Sequence, residues 1–378
     1  RFKKGSGMPI SIPVIDMVVI GAGGGSLAHV DGMRQIRVGP ESAGSEPGPA
    51  CYGRGGTRPG VTDADLVLGK LDPNNFAGGS IVLHPDNSKS ALTDHIGSTL
   101  DMDPIEAAFG VAEVVDENMA NAARVHAVEN GEDLSEYTMI AFGGAAPLHA
   151  GRLCEKLGVE RLLVPPGAGV GSAIGFLRAP FSFEANRSVY MKLSDFDAGR
   201  IRQLLSDLKD ETTGFVRTCD ATSPIRTDFK AYMRYSGQGW EIPIELTEEQ
   251  AMNPDAATYQ ARFEEGYTKL FGRPVAGMDI EITVWSVNAS TPPEEVKPIA
   301  VTCATGPAMS DGTRQVFDAA SGRYLDADTV DRASMQTGQR AQGPAIVTED
   351  ETTIVVPASR DAIRQPDGGN DVVTKGAA

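Results

Sequence analysis

Apolar positions in the first 180 residues fall into short runs divided by glycine-rich breaks, with one long stretch at three-to-four spacing. Residues 14–20, apolar and largely β-branched apart from Asp16, read as a mostly buried strand, and 27–30 and 35–38 as the second and third strands of a meander. A Gly/Pro-rich excursion follows, "GPESAGSEPGPACYGRGGTRPGVTDADL", with too many breakers for one regular element. Asp103, Pro104 and Glu106 then form a capping-box start. Ile105, Ala108, Val111, Val115, Met119 and Ala122 keep one face apolar, and Asn130-Gly131 supplies the stop. After this helix come a strand at 137–144, a helix at 147–157 ended by Gly158, a strand at 161–166 and a helix at 170–177.

The order βββαβαβα is that of an RNase H-like unit, the building block of actin-like and hexokinase-like nucleotide-binding folds, and it also fits a generic doubly wound sheet. Beyond residue 185 the texture changes to β-type runs, "TDFKAYMRYSGQGWEIPIEL", "GMDIEITVWSVNAS" and "GPAIVTEDETTIVVP", interrupted by one helix at 254–270. The expected organisation is therefore α/β: an RNase H-like half of an ATP-binding domain pair over 1–185 and a mostly β domain over 186–378. The last residues, "DGGNDVVTKGAA", read as a frayed tail.

Composition narrows the partners. The 378 residues are 41% apolar and 22% charged, enough for one large domain or two ordinary ones. A net charge of −17 disfavours nucleic acid and anionic membrane, because phosphate-backbone affinity rests on Lys and Arg. No run approaches the roughly 18 to 20 apolar residues of a membrane span, and no signal peptide is evident, so the expected compartment is the cytoplasm. Four scattered cysteines suggest free thiols rather than a disulfide or zinc framework. A first residue of Arg1 suggests that sequence upstream has been removed or lies elsewhere.

Two glycine motifs carry candidate chemistry. In "GAGGGS", consecutive glycines allow backbone N–H groups to turn onto a small anion, and Ser26 adds a hydroxyl; a glycine hairpin without a ligand is the competing reading. In "AFGGAAPLHA", a strand ends in Gly143-Gly144 and a helix begins near Pro147, which presents uncapped N–H groups to a nucleotide, or serves strand-to-helix packing alone. Carboxylates suit magnesium, which prefers oxygen ligands. Asp16 before the first loop is the favoured ligand and base, with Asp31 a further metal candidate and Asp63 a further catalytic one. Asp63 reads equally as a helix cap and Asp31 as a turn aspartate. His149 either touches ligand or packs against the sheet. The remaining histidines lack ligand spacing, which disfavours a transition metal in this chain. Cys51 lies in the excursion without an adjacent base, and Trp240 and Trp285 read as core.

Together, "IGAGGGSLAHVD", "VGPESAGSEPGPACYGRGGTRPGVTDADLVLGKLDP", "AFGGAAPLHA", "MRYSGQGWEI" and "GPAIVTEDETTIVVP" resemble the A-type, ATP-binding subunit of the hydantoinase/5-oxoprolinase family. Membership implies an actin-like ATP-dependent enzyme that works with a B-type subunit as a hetero-oligomer. Some members open cyclic amides and others carboxylate ketones with bicarbonate. The resemblance assigns Gly21, Gly23, Gly24, Gly25 and Ser26 to phosphate, and Gly143, Gly144, Ala145 and Pro147 to the nucleoside side. It implies ATP and Mg2+ as cofactors, with any transition metal in the partner subunit. Ala146 stands where the family more often has glycine, a variant resembling the acetone/acetophenone carboxylase branch. The family's first phosphate loop is absent, so the chain is similar to the C-terminal half of such a subunit, and the N-terminal half would supply the opposite wall of the cleft.

Overall fold

The computed structural model describes residues 17–376. Two compact units emerge, one formed by the chain up to Ile174 together with Pro298 onward, the other by Gly175–Lys297. The composition-based division at 185 differs from this, because the last 81 residues pack with the first unit rather than forming a domain with the second.

In the first unit, strands Ser26–Val30 and Ile36–Ser42 form an antiparallel pair. The strand expected over 14–20 is not seen in its described part: Met17, Val18, Val19 and Ile20 are outside any strand and exposed, and Asp16 lies outside the described residues. Helix Pro104–Asn130 begins as the capping box requires. Asp103 accepts from the amides of Ile105 and Glu106, Glu106 accepts from the Asp103 amide, and Gly131 ends the helix in the left-handed conformation. Its apolar face packs against the short helix Val61–Val67 through Val111, Ala108, Val115 and Ala64, all fully buried.

The second sheet of this unit has six strands in the order Gly306–Pro307, Gln339–Gln342, Arg360–Arg364, Asn370–Thr374, Arg161–Val164, Thr138–Ile140. The stretch read as a frayed tail is therefore a central strand. Asn370–Thr374 pairs antiparallel with Arg161–Val164, and Asn370, Asp371, Val372 and Val373 are buried. Its polar residues hid it: Asp371 is held by a bidentate Arg161 contact at 2.8 and 2.6 Å, from 210 residues away in sequence.

The second unit is an antiparallel sheet ordered Ser182–Arg187, Ile280–Ser290, Arg226–Tyr235, Ile242–Leu246, with Met191–Lys192 also paired to Ile280–Ser290. The alternating pattern of Arg226–Tyr235 puts Phe229, Ala231, Met233 and Tyr235 into its core beside the fully buried Trp285. Helix Ala256–Phe271 was expected; helix Ala198–Cys219 was not, although Asp197 caps it and Ile201, Leu205, Leu208, Thr212 and Val216 give it a buried stripe. Trp240 was expected in the core and is instead 76% exposed in the loop after Arg226–Tyr235.

Candidate active site

The first glycine loop is braced from within. The Ser26 hydroxyl accepts from the Gly23 amide at 3.0 Å and reaches the Gly21 carbonyl at 3.3 Å, so its bonding capacity goes to shaping the loop. The Gly24 carbonyl accepts twice from Thr62, from its amide at 2.9 Å and its hydroxyl at 2.8 Å. Among the described residues the amides of Gly24 and Gly25 have no acceptor. Side chains have little room here: a Cβ on Gly25 would lie 2.8 Å from the Ser42 hydroxyl, and one on Gly24 would lie 3.2 Å from the Thr62 hydroxyl and 3.5 Å from the Ala145 methyl.

That last distance brings the two glycine motifs together. Gly143, with φ +111°, turns the chain out of strand Thr138–Ile140, and helix Ala146–Leu157 starts after Ala145 with no side-chain cap. Gly24, Gly25, Gly144 and Ala145 line one cleft of about 250 Å³. Gly21, Gly23 and Ser26 open onto the other side of the first loop, and Pro147 is buried at the helix start. The wall opposite is the turn Glu349–Thr353, fastened by the Thr352 hydroxyl donating to the Gly144 carbonyl at 2.7 Å. Sequence reading assigned that segment only to a β-type run. Its acidic "TEDETT" turn between strands Ala345–Thr348 and Thr353–Val356 was the signal available.

The cleft is lined by carboxylates, Asp65, Asp72, Glu349, Asp350 and Glu351, and by no Lys or Arg. Two are neutralised from behind. Arg314 meets Asp72 at 2.7 Å, and the buried Arg332 holds both oxygens of Glu349 at 2.9 Å while its other terminal nitrogen donates to the carbonyls of Val164, Pro165 and Gly368. Burial raises the Glu349 carboxyl, and the Arg332 charge only partly opposes this.

Asp65 sits at the cleft floor in a group of four buried ionisable residues. Lys70 Nζ lies 2.8 Å from one of its oxygens and His149 Nε2 3.2 Å from the other, while His149 Nδ1 lies 2.8 Å from Asp116 Oδ1. Burial alone would depress the His149 pKa, but Asp65, aided by Asp116, outweighs it and raises it to about 9. Burial likewise works against the Asp65 anion, and the His149 and Lys70 charges reverse that and hold it well below the usual carboxylate range. His149 is thus a structural cation beneath the loop, walled off from ligand.

The other expected residues lie elsewhere. Asp63 is fully buried and accepts from the amides of Ala50, Cys51 and Gly60 and the Ser88 hydroxyl, at 2.7 to 3.1 Å. It does not reach the cleft, and neither does it cap its helix from the N-cap position, which Gly60 occupies. It locks the excursion onto the helix, and Tyr52, next to that lock, lines the cleft. Asp31 is a turn aspartate, accepting from the Met33 and Gln35 amides and from Arg37, which is the main cause of its lowered pKa. Cys51 is fully buried, and burial, with Asp63 beside it, pushes its thiol pKa far up, which removes it as a nucleophile.

These features fit a nucleotide on one side only. Free loop amides, an uncapped helix start and an absence of side chains suit phosphate, while the acidic lining requires a cation between phosphate and protein. Among the described residues no group of three or more His, Cys, Asp or Glu side chains is placed to hold a metal ion. Among the same residues no helix is long and apolar enough to cross a membrane.

Residues 2–185 match the family model described as hydantoinase/oxoprolinase, and 197–364 match the hydantoinase/oxoprolinase C-terminal domain. The gamma subunit of acetophenone carboxylase from Aromatoleum aromaticum is 31% identical over 92% of this chain and 49% of its own length. The structure of nucleotide-free acetone carboxylase, whose carboxylation is ATP-dependent, superposes with a TM-score of 0.79 at 25% identity, covering 94% of this chain and 52% of that one. The ATP-dependent caprolactamase of Pseudomonas jessenii gives 0.76 at 28% identity over 97% and 54%. The chain spans about half the length of the relatives it matches. It has the mixed α/β nucleotide-binding fold of these neighbours. The chain belongs to the hydantoinase/oxoprolinase family.

Proposed function

We propose that this chain carries one wall of the ATP cleft of an ATP-dependent ketone carboxylase, working with an N-terminal half of the same subunit and a B-type partner subunit. The observation that carries the nucleotide reading is the meeting of Gly24 and Ala145, which places two glycine turns and an uncapped helix start on one cleft. ATP, when bound, supplies a phosphoryl group that turns an unreactive oxygen into a leaving group. The residues of this chain bind and orient. The Gly24 and Gly25 amides and the start of helix Ala146–Leu157 receive phosphate oxygens, Gly144 lets the nucleotide approach the backbone, and Asp350 and Glu351 offer exposed carboxylates for a phosphate-bound Mg2+. Asp16 remains a candidate for that ion from the sequence alone.

The carboxylase reading rests on the Ala146 variant of the second loop and on the carboxylase relatives. The caprolactamase likeness favours a second reading, ATP-dependent hydrolysis of a cyclic amide. Calorimetry of the full-length protein with ATP, with and without Mg2+, tests the cleft: binding that strengthens with Mg2+ is expected, and no binding in the assembled complex overturns it. Nucleotide turnover that requires both a ketone and bicarbonate supports the carboxylase. Turnover stimulated by a lactam without bicarbonate replaces it with the hydrolase, and a complex whose turnover ignores this cleft makes the chain a scaffold.

A further inference from the structure

The buried group Lys70, Asp65, His149 and Asp116 links the two helices that adjoin the two glycine loops. Asp65 lies one turn after Thr62 on helix Val61–Val67, and Thr62 holds the Gly24 carbonyl. His149 lies one turn after Ala145 on helix Ala146–Leu157. The first loop, tied to helix Val61–Val67 through Thr62, runs close by Ala145, and the same helix is joined to helix Ala146–Leu157 by Asp65 against His149. Asp116, from helix Pro104–Asn130, fixes the imidazole from behind. We infer that Asp65 and His149 are positioning residues that hold the first glycine loop and the second at the spacing needed for ligand, with Asp116 and Lys70 maintaining that link.

The chemistry of the four groups explains why ionisable side chains are used. A cation in the first turn of a helix opposes the helix dipole, so His149 is held there by two carboxylates rather than by packing. Two anions and two cations balance, and removing one leaves a buried charge without a partner. A second cavity, of about 60 Å³, is lined by Lys70 and Asp116 together with Phe109. Glu113 on the long helix and Arg152 on His149's own helix, which line the same cavity together with Glu155 and Asp318, pair with each other at 2.9 Å. With His149 raised to about 9, the link is intact at neutral pH and released in alkali.

That the link serves nucleotide rests on the function proposed above; that it couples the two loops does not. In the full-length protein, hydrogen exchange of peptides covering residues 21–26 and 143–148 reads the loops, and calorimetry with ADP reads the cleft. Asp116→Asn is expected to lower protection of both peptides together, by roughly tenfold, and to weaken ADP by a similar factor at pH 7. The alkaline break in the ADP affinity profile should move to lower pH, because His149 loses one of its two carboxylates. If the variant fails to fold, the wild-type series from pH 7 to 10 decides: both peptides should lose protection over the same range, after correction for intrinsic exchange. Peptides that respond separately, or loops that loosen while ADP affinity and its pH break stay where they were, overturn the inference. Loops that loosen together in a protein that binds no ADP at any pH leave the coupling standing and remove the nucleotide reading.

Discussion

Helix Val61–Val67 presents two aspartates two residues apart, both buried, to two different neighbourhoods. Asp63 faces the glycine-rich excursion and is satisfied by three backbone amides and a hydroxyl. Asp65 faces the cleft and is satisfied by a lysine and a histidine. A carboxylate held by neutral dipoles acts as a staple whose strength does not depend on the protonation of its partners. A carboxylate held by titratable cations makes a joint whose strength follows pH. One short helix therefore both organises the loop beside the site and is tied to both glycine loops, to the first through Thr62 and to the helix after the second through Asp65.

The contrast is open to test, and the largest effect is expected at the staple. Asp63→Ala strands four buried donors, and each one left unsatisfied costs about 1–3 kcal/mol, so a loss of at least about 4 kcal/mol is expected, with residues 48–60 becoming accessible to protease. A urea midpoint near wild type would show that the excursion is held by something else. Asp65→Asn should cost about 3 kcal/mol by leaving buried cations unpaired, and here the loss depends on pH. His149 has a raised folded pKa, so its contribution is complete below 6.5, falls as pH rises and is gone above about 9. Asp65 has a lowered one, so its contribution is present above 3.8 and lost as acid titrates it. Urea midpoints from pH 5 to 10 should show the gap between wild type and variant shrinking toward pH 9, and a constant gap would make Asp65 a second staple.

Arg332→Gln should cost about 2–3 kcal/mol, because Glu349 is left half-buried without its cation. It should raise the Glu349 carboxyl further and loosen residues 349–353, which isotope-edited infrared of the carboxyl stretch and hydrogen exchange would detect. Gly24→Ala and Gly144→Ala should change stability by under about 1 kcal/mol, since the new Cβ atoms meet their neighbours at 3.2 Å or more, yet weaken ADP by roughly tenfold through blocked approach to the amides. Unchanged ADP affinity in both would end the phosphate-cradle reading. Smallest of all is Asp31→Asn, with an unchanged urea midpoint and no effect on Mg2+-dependent nucleotide binding, because its partners are a turn and an exposed arginine. A shifted Mg2+ requirement would restore it to the metal candidates.

Local signals were legible wherever local chemistry decides the outcome. The capping box at Asp103 and Glu106, the left-handed stops at Gly131 and Gly158, and the alternation of Arg226–Tyr235 are each settled by neighbours a few residues away. The two glycine motifs were visible for the same reason, since only glycine leaves the backbone open to a ligand. Asp63 reads as catalytic or as a cap, Asp31 as a metal ligand or a turn aspartate, and His149 as a ligand contact or a packed side chain, and nothing local chooses between them, because an ionisable side chain in a motif looks the same whether it faces solvent, amides or an opposite charge.

Pairings between residues distant in the chain lay beyond that reach. Arg161 reaching Asp371 makes a central strand out of a polar tail, and Thr352 reaching Gly144 adds an acidic wall that belongs to neither motif. The sequence by itself determined where helices start and stop, which segments alternate, and where the backbone is bare enough for phosphate. Only the tertiary structure decided which carboxylates face the cleft, which lie locked behind it, and that one histidine joins the helices adjoining the two glycine loops. The physical reason is that backbone conformation is set by local sterics and hydrogen bonds, whereas the charge state and task of a buried side chain depend on partners that folding brings from far along the chain.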